Sequence, residues 1–572
     1  MTKRCPLSTV VGALLWLAAA SATASDTTLL VHGHIYTGNP QAPWAEAIAF
    51  QGDTIVAIGT DTALQRKWGK SAAVEDLRGR MVIPGIVDSH AHMLYGAYAL
   101  HGLNLSTPAA SITPDKPDEL AARLRRYAEE HAQDPVIFAR ADFSTVPPST
   151  PGKELLDRAV ADRPVVVHNT SEHALWLNSA ALSLAGIGDW PVADPDEERG
   201  IVRDASGHPL GVVLEGGMDI VARAVAARVP TEDKLAMLQE AGRFLNSYGI
   251  TSLVNATGNL SEVRLFAALH ERGDLTVRTR TAFGAVAVAH QLTPQWLADL
   301  EEARRTYHDD WVSANLVKFF ADGSTGLVPP LVYEPHAYEK LVIELDARGF
   351  QLMTHAIRSD SAHLALDTYE KLLKEHGARD RRLRIEHADV VEPADVARFG
   401  ALGVIADMQP TFCCGDQGLN YDLAHPVVTD RWKSIADGGA TLAFSSDWPC
   451  TWPADPFVAM QQAVTRQVWK STDTDAVAGG ALDGAAQGGA VPTGAIYSPE
   501  ERVGIDAALR AYTKGGAYAS FSDDRVGTLE VGKYADLVVL SQDLFKVAPD
   551  QIGRTHALAT YVDGKRVYQA AE

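Results

Sequence analysis

Four cysteines in 572 residues cannot staple a scaffold together, so the core must come from packing. Basic residues are in deficit: 51 Lys and Arg stand against 72 Asp and Glu, a formal charge of −21 at pH 7. With no basic patch to offset it, that balance excludes nucleic acid and anionic membranes as partners. Beyond residue 24 no apolar run approaches the ~18 residues that a membrane helix needs. Hydrophobic residues at 46% and charged residues at 22% leave no basis for a collagen-like, disordered or coiled-coil chain. What remains is a globular protein, long enough at roughly 100 to 200 residues per domain for several domains, or for a barrel with additions.

Residues 1–24 read as a secretory signal. Lys3 and Arg4 supply positive charge, Val10 to Ala20 an apolar stretch too short to span a bilayer, and Ala22-Thr23-Ala24 a small-residue cleavage site before Ser25. Cys5 precedes the apolar stretch, the wrong side for a lipid attachment. The expectation is a periplasmic or secreted protein, cut after Ala24 and without membrane contact thereafter. Three cysteines then remain: Cys413, Cys414 and Cys450.

Two β-rich pieces bracket the chain. Thr27 to Val82 shows alternating apolar positions and a Gly52-Asp53 turn; GTLEVGKYADLVVLSQDLF and ATYVDGKRVY, with an Asp563-Gly564 turn, show the same pattern at the other end. Neither has enough strands to stand alone, so residues 25–83 and 522–572 are expected to form one composite β-sandwich. Residues 84–521 alternate apolar runs with amphipathic stretches, an α/β pattern. Eight runs qualify as strands: MVIPGIVDSHAH, TSLVNAT, VRTRTAF, NLVKFFADGS, FQLMTHAIR, RLRIEHAD, GVIADMQ and TLAFSSDW. That count predicts a (β/α)8 TIM barrel. Residues 105–230 far exceed a βα loop and are expected to form an α/β subdomain, inserted after barrel strand one and seated over the face where the strands end. DTDAVAGGALDGAAQGGAVPTG has no periodicity and reads as a loop after strand eight.

The strand ends carry the chemistry. Strand one ends in Asp88-Ser89-His90-Ala91-His92; histidines two apart on a strand share a face and can meet one metal ion. Strand four carries Lys318 in an apolar run, strand five ends at His355, strand six at His387 and strand eight at Asp447. Each has an ordinary reading: a core histidine, a capping aspartate, a snorkelling lysine. Five such placements in order around one barrel favour a metal centre.

These residues sit in longer blocks: MVIPGIVDSHAHM, HALWLNSAALSLAGI, LVKFFADGSTG, RIEHAD, MQPT, FSSDWP with DPFVAMQQAVTR, AYTKGGAYASF and VGTLEVGKYADLVVL. Through them the chain, from about residue 28 onward, resembles the amidohydrolase superfamily, in particular amidohydrolase family 3 (the YtcJ-like branch). The resemblance implies the same sandwich-plus-barrel fold and a divalent metal, zinc by its donor set, as one or two ions per chain. It implies that His90, His92 and Asp447 hold one ion and His355 and His387 a second, bridged by Lys318 carboxylated on its amine. A carbamate offers two anionic oxygens where an ammonium would repel the ions. Glu215 is an alternative carboxylate, and a one-ion site stays open.

The chemistry implied is hydrolysis of a C–N bond in a small molecule. A divalent ion lowers the pKa of water and polarises a carbonyl, while Asp447 takes the water's proton and returns it to the departing nitrogen. His173, Asn178, Glu215 and Gln409 are candidate substrate contacts, each also readable as a structural hydrogen-bonding residue. An N-acyl amino acid, a formamide or a lactam would suit an exported enzyme. A nucleobase-type deaminase is the alternative, disfavoured by Arg358 where such enzymes carry a Glu three residues after the strand-five histidine. A non-catalytic binding barrel is the third reading. The chain departs from the family where MQPT is followed by Phe412 rather than a histidine, then by Cys413-Cys414, and where Cys450 follows SDWP. Strands seven and eight are neighbours, so Cys450 is expected to bridge to Cys413 or Cys414, a thiolate metal ligand being the other reading. Nothing sets the oligomeric state; a homo-oligomer stays open.

Overall fold

The computed structural model describes residues 27–105, 117–141, 143, 152–170, 173–193, 198–285, 293–322, 334–414, 428–469 and 496–571. The expected signal segment and the Gly/Ala-rich stretch near residue 480 lie outside them. Among the described residues no helix is long and apolar enough to cross a membrane.

Eight parallel strands form the central sheet, each beside its sequence neighbour: β1 Ile86–Ala91, β2 Ile250–Gly258, β3 Arg278–Gly284, β4 Val312–Phe320, β5 Gln351–Ala356, β6 Arg384–His387, β7 Ile405–Met408 and β8 Leu442–Phe444. Helices follow in alternation, including Leu260–Arg272, Pro294–Thr306, Pro335–Ala347, Ser359–His376 and Pro393–Leu402. Their buried residues recur at helical spacing, as in Leu366, Tyr369 and Leu372, so each presents an apolar stripe to the sheet. The seam between β8 and β1 is stitched just past the strand ends. The Asp447 N–H donates to the His90 carbonyl and the His92 N–H to the Trp448 carbonyl, each at 2.7 Å. This is the (β/α)8 barrel that the eight runs predict.

The run MVIPGIV is two strands, not one. Met81–Pro84 belongs to another sheet and Ile86–Ala91 to the barrel. Gly85 separates them at a point where a Cβ would stand 2.2 Å from Thr251 Oγ1, so only glycine fits the close approach to β2.

Both ends of the chain meet in the other sheet, where Leu537–Leu540 pairs antiparallel with Met81–Pro84. A four-stranded sheet of N-terminal strands lies against it, and Leu30, Ile48 and Phe50 of one sheet share a core with Val82, Leu537 and Tyr561 of the other. After β1 the chain runs through helix α1, Met93–His101, into a six-stranded mixed sheet between Leu103 and Leu214. That sheet has a core of its own, including Leu124, Ile137, Val167 and Trp176.

Candidate metal centre

Six of the expected ligands converge. His90, His92, Lys318, His355, His387 and Asp447 line one cavity of about 70 Å³, together with His173, Glu215, Tyr95, Phe320 and Cys450. His90 and Lys318 are 1% exposed, His355 2% and His387 4%. His90 Nε2 is 3.1 Å from Lys318 Nζ and 3.5 Å from Asp447 Oδ1. The same Asp447 oxygen is 3.1 Å from His92 Nε2. The ring centroids of His355 and His387 are 4.3 Å apart, and those of His90 and His387 5.1 Å.

Backbone twist brings the side chains round. His387, Ala388 and Asp447 all have left-handed φ, at 69°, 51° and 55°, a conformation that costs non-glycine residues of order 1 kcal/mol or more and clusters where geometry is functional. Asp447 is steadied further by its neighbour Trp448, whose ring lies against Gly96 of α1. A Cβ on Gly96 would meet that ring at 2.0 Å.

The electrostatics suit a divalent cation. Burial drives His90 and His355 well below the ordinary imidazole pKa, aided by Lys318 and, for His355, by His387. His387 is pushed down to about 3, chiefly by burial. Neutral imidazoles with free lone pairs are what a divalent ion needs. Burial alone would raise Asp447, but the imidazoles of His90, His92 and His387 outweigh it and hold the carboxylate well below its usual range. Lys318 is lowered to about 8 by burial, against the pull of Glu386 and Asp447. His92 Nδ1 is buried with no hydrogen-bond partner among the described residues, an atom that an ion would satisfy, whereas His355 Nε2 faces the Asp322 carboxylate at 3.3 Å. The residues therefore fit a divalent metal.

Several residues that support the site were not legible beforehand. Glu386 Oε2 lies 2.6 Å from His90 Nδ1, and Arg384 binds Glu386, Asp407 and the Ser89 carbonyl at 2.7–2.9 Å. Asp88 accepts from the Ser446 hydroxyl and amide at 2.5 and 3.0 Å, tying β1 to the turn that carries Asp447. Asp322 accepts from the amides of Ile357 and Arg358, just after His355. RIEHAD gave one signal: Arg384 and Glu386 are two apart and share a face.

The substrate-contact candidates divide. His173 and Glu215 reach the cavity from the inserted sheet, paired Nδ1 to Oε1 at 3.0 Å. Burial opposes the His173 cation, but the Glu215 carboxylate wins and the pKa rises. Asn178 does not reach it. Fully buried, its oxygen accepts from the Ala181 and Val165 amides and its nitrogen donates to the Val160 and Arg163 carbonyls, all at 2.8–3.0 Å. It caps the helix Ser179–Leu184, and its hydrogen-bonding capacity is spent there. Gln409 is also out of the cavity, donating to Ser445 Oγ at 2.8 Å in the network beneath. The expected bridge from Cys450 is not made. Cys413 and Cys414 pair with each other, while Cys450 sits in the cavity wall. Phe412 places its ring 6.4 Å from that of His387, an apolar backing to that ligand.

A sequence model described as the amidohydrolase family matches residues 73–568. The chain belongs to the amidohydrolase family. It is a metal-dependent hydrolase of carbon–nitrogen bonds. Protein LONG AFTER FAR-RED 3 of Arabidopsis thaliana is 27% identical, over 94% of this chain and 91% of its own. An N-substituted formamide deformylase of Arthrobacter pascens is 25% identical, over 95% and 98%. Among solved structures, an uncharacterized metal-dependent hydrolase from Pyrococcus horikoshii OT3 superposes with a TM-score of 0.69 at 21% identity, over 91% of this chain and 99% of that one. This last likeness shows the fold.

Proposed function

We propose that this amidohydrolase is an exported enzyme that cleaves the C–N bond of a small amide, with N-substituted formamides as the first class to test. The observation that carries the reading is the convergence of His90, His92, His387 and Asp447, with His355 and Lys318, in one cavity. A formamide deformylase among full-length relatives supports the substrate class. His90, His92 and Asp447 would hold one divalent ion and His355 and His387 a second, zinc by its preference for imidazole and carboxylate donors. Such an ion, when bound, lowers the pKa of water and polarises a carbonyl oxygen.

The chain's own groups do the rest. Asp447, kept ionised by its imidazole neighbours, accepts a proton at a carboxylate oxygen and delivers it to the departing nitrogen. His173, favoured as a cation by Glu215, places positive charge in the wall where a carbonyl oxygen gains negative charge. Lys318, with its pKa near 8, has a large neutral fraction at mildly alkaline pH, and the neutral amine is the form that adds carbon dioxide. The carbamate so formed would bridge the ions. Arg358 turns to the surface and pairs with Asp360 at 3.1 Å, so it supplies no ring-protonating acid of the kind a nucleobase deaminase uses.

The test is a panel of N-substituted formamides, N-acyl amino acids, lactams and aminopurines with the zinc-reconstituted enzyme, following amine or ammonia release. Turnover of amides with none of aminopurines is expected; the reverse would move the protein to the deaminases. Export is tested by N-terminal sequencing of the protein recovered from a bacterial periplasm, which should begin at Ser25.

A further inference from the structure

Two histidines and an aspartate cluster where α1 meets the insertion, away from the barrel cavity. His101 is the last residue of α1, and His131 and Asp134 lie in the turn that follows the helix Pro117–Glu130. His101 Nε2 stands 3.0 Å from Asp134 Oδ2 and His131 Nδ1 3.4 Å from the same oxygen. The donor atoms of all three residues lie within 4.8 Å of one another.

We propose that His101, His131 and Asp134 form a second divalent-cation site, of zinc type, that clamps the end of α1 to the insertion. Tetrahedral zinc with bonds near 2.0–2.1 Å sets its ligand atoms ~3.3 Å apart, and the two imidazole–carboxylate separations bracket that edge. The donor set, two imidazoles and one carboxylate, is borderline in softness and suits zinc over calcium or magnesium. Each ligand is held by a further contact. The Tyr127 hydroxyl donates to the His101 carbonyl at 2.5 Å and its ring stacks on His131 with centroids 4.0 Å apart. The Arg163 guanidinium donates to the carbonyls of His131 and Asp134 at 2.7 and 3.2 Å. These contacts fix the backbone of all three residues and the ring of His131. The three side chains are 24–36% exposed, so solvent reaches the cluster and water can complete the coordination.

The position gives the clamp a consequence. α1 begins directly after His92 and ends at His101, so an ion there fixes the far end of the helix that leaves the barrel centre. Asp134 lies three residues before the strand Ile137–Ala141, whose Arg140 donates to the Pro449 carbonyl at 3.0 Å, beside Asp447 and Cys450.

Calorimetric titration of the holoenzyme with Zn²⁺, its barrel ions already bound, tests the site. One additional equivalent is expected for the wild type. In H131A and in D134N that equivalent should weaken at least tenfold, with barrel metal content unchanged. Both variants are compared with wild type by thermal melting in chelator, to show that the insertion still folds. Cu²⁺ titrated in place of zinc should give an EPR spectrum with nitrogen coupling from two imidazoles, reduced to one in H101A. Absence of the extra equivalent in wild type, or its persistence in folded H131A and D134N, overturns the proposal and leaves the cluster as an imidazole–carboxylate hydrogen-bond pair.

Discussion

His90 donates from Nδ1 to Glu386 at 2.6 Å, and neither side chain is more than 1% exposed. This pair fixes the imidazole so that Nε2, its other nitrogen, faces Lys318 and Asp447. Carboxylate–histidine pairs of this kind typically account for 10- to 100-fold in metal affinity or activity. Glu386→Gln keeps the shape and removes the charge. Zinc affinity measured by competition with a chelating dye should fall about 10- to 100-fold, while the near-UV circular dichroism of the folded barrel is retained.

Asp447→Asn removes the group that moves protons. With the fold intact, kcat should fall by about 10²- to 10⁴-fold, the usual range for a general acid–base. Steady-state kinetics on an active amide check this. A variant that keeps wild-type kcat would remove Asp447 from the proposed chemistry.

In metal-free protein the buried imidazoles cost stability as pH falls from neutrality, while the buried carboxyls of Asp88, Glu262 and Asp455, each raised to about 7, act in the opposite direction. The buried imidazoles of His90, His355 and His387 have folded pKa values depressed below the ordinary value, His387 to about 3. At these three groups the unfolded chain binds more protons between about pH 6.5 and pH 3, and their contribution penalises the folded state progressively across that window. Urea midpoints measured with chelator at pH 7.5, 6 and 5 isolate the His387 contribution: relative to His387→Asn, the wild type should lose stability in that order.

Gly96→Ala tests the packing that seats Asp447. The new methyl meets the Trp448 ring, and overpacking of this kind costs about 1–3 kcal/mol. A lower melting temperature with reduced turnover is expected, although residue 96 touches no substrate. Asn178→Ala should behave oppositely in kind. It removes a helix cap and buried hydrogen bonds, so stability falls by a few kcal/mol, while KM and kcat of the folded fraction stay as they were.

What the sequence conveyed was governed by alternation. The eight barrel strands stood out as apolar runs, and His90 and His92 as a pair two apart on one of them. Glu386 was invisible as a partner because it precedes His387 by one residue, which in a regular strand puts the two on opposite faces. The left-handed turn at His387 and Ala388 breaks that rule and lets both serve the site. That MVIPGIVDSHAH is two strands and not one was hidden for a related reason: both are buried, and only contact with Thr251 marks Gly85 as the break. Asn178 carried no mark of its role, since an N-cap and a substrate ligand look alike as letters. The pairing of Cys413 with Cys414 rather than Cys450 depends on how the end of β7 turns, which strand order leaves undetermined.

The most direct test is an anomalous-difference map, at the zinc absorption edge, from crystals of the zinc-reconstituted protein. The account predicts density within coordination distance of His90, His92 and Asp447, and a second peak at His355, His387 and Lys318 if the lysine is carboxylated. No anomalous peak in the cavity of fully reconstituted, active enzyme would contradict it.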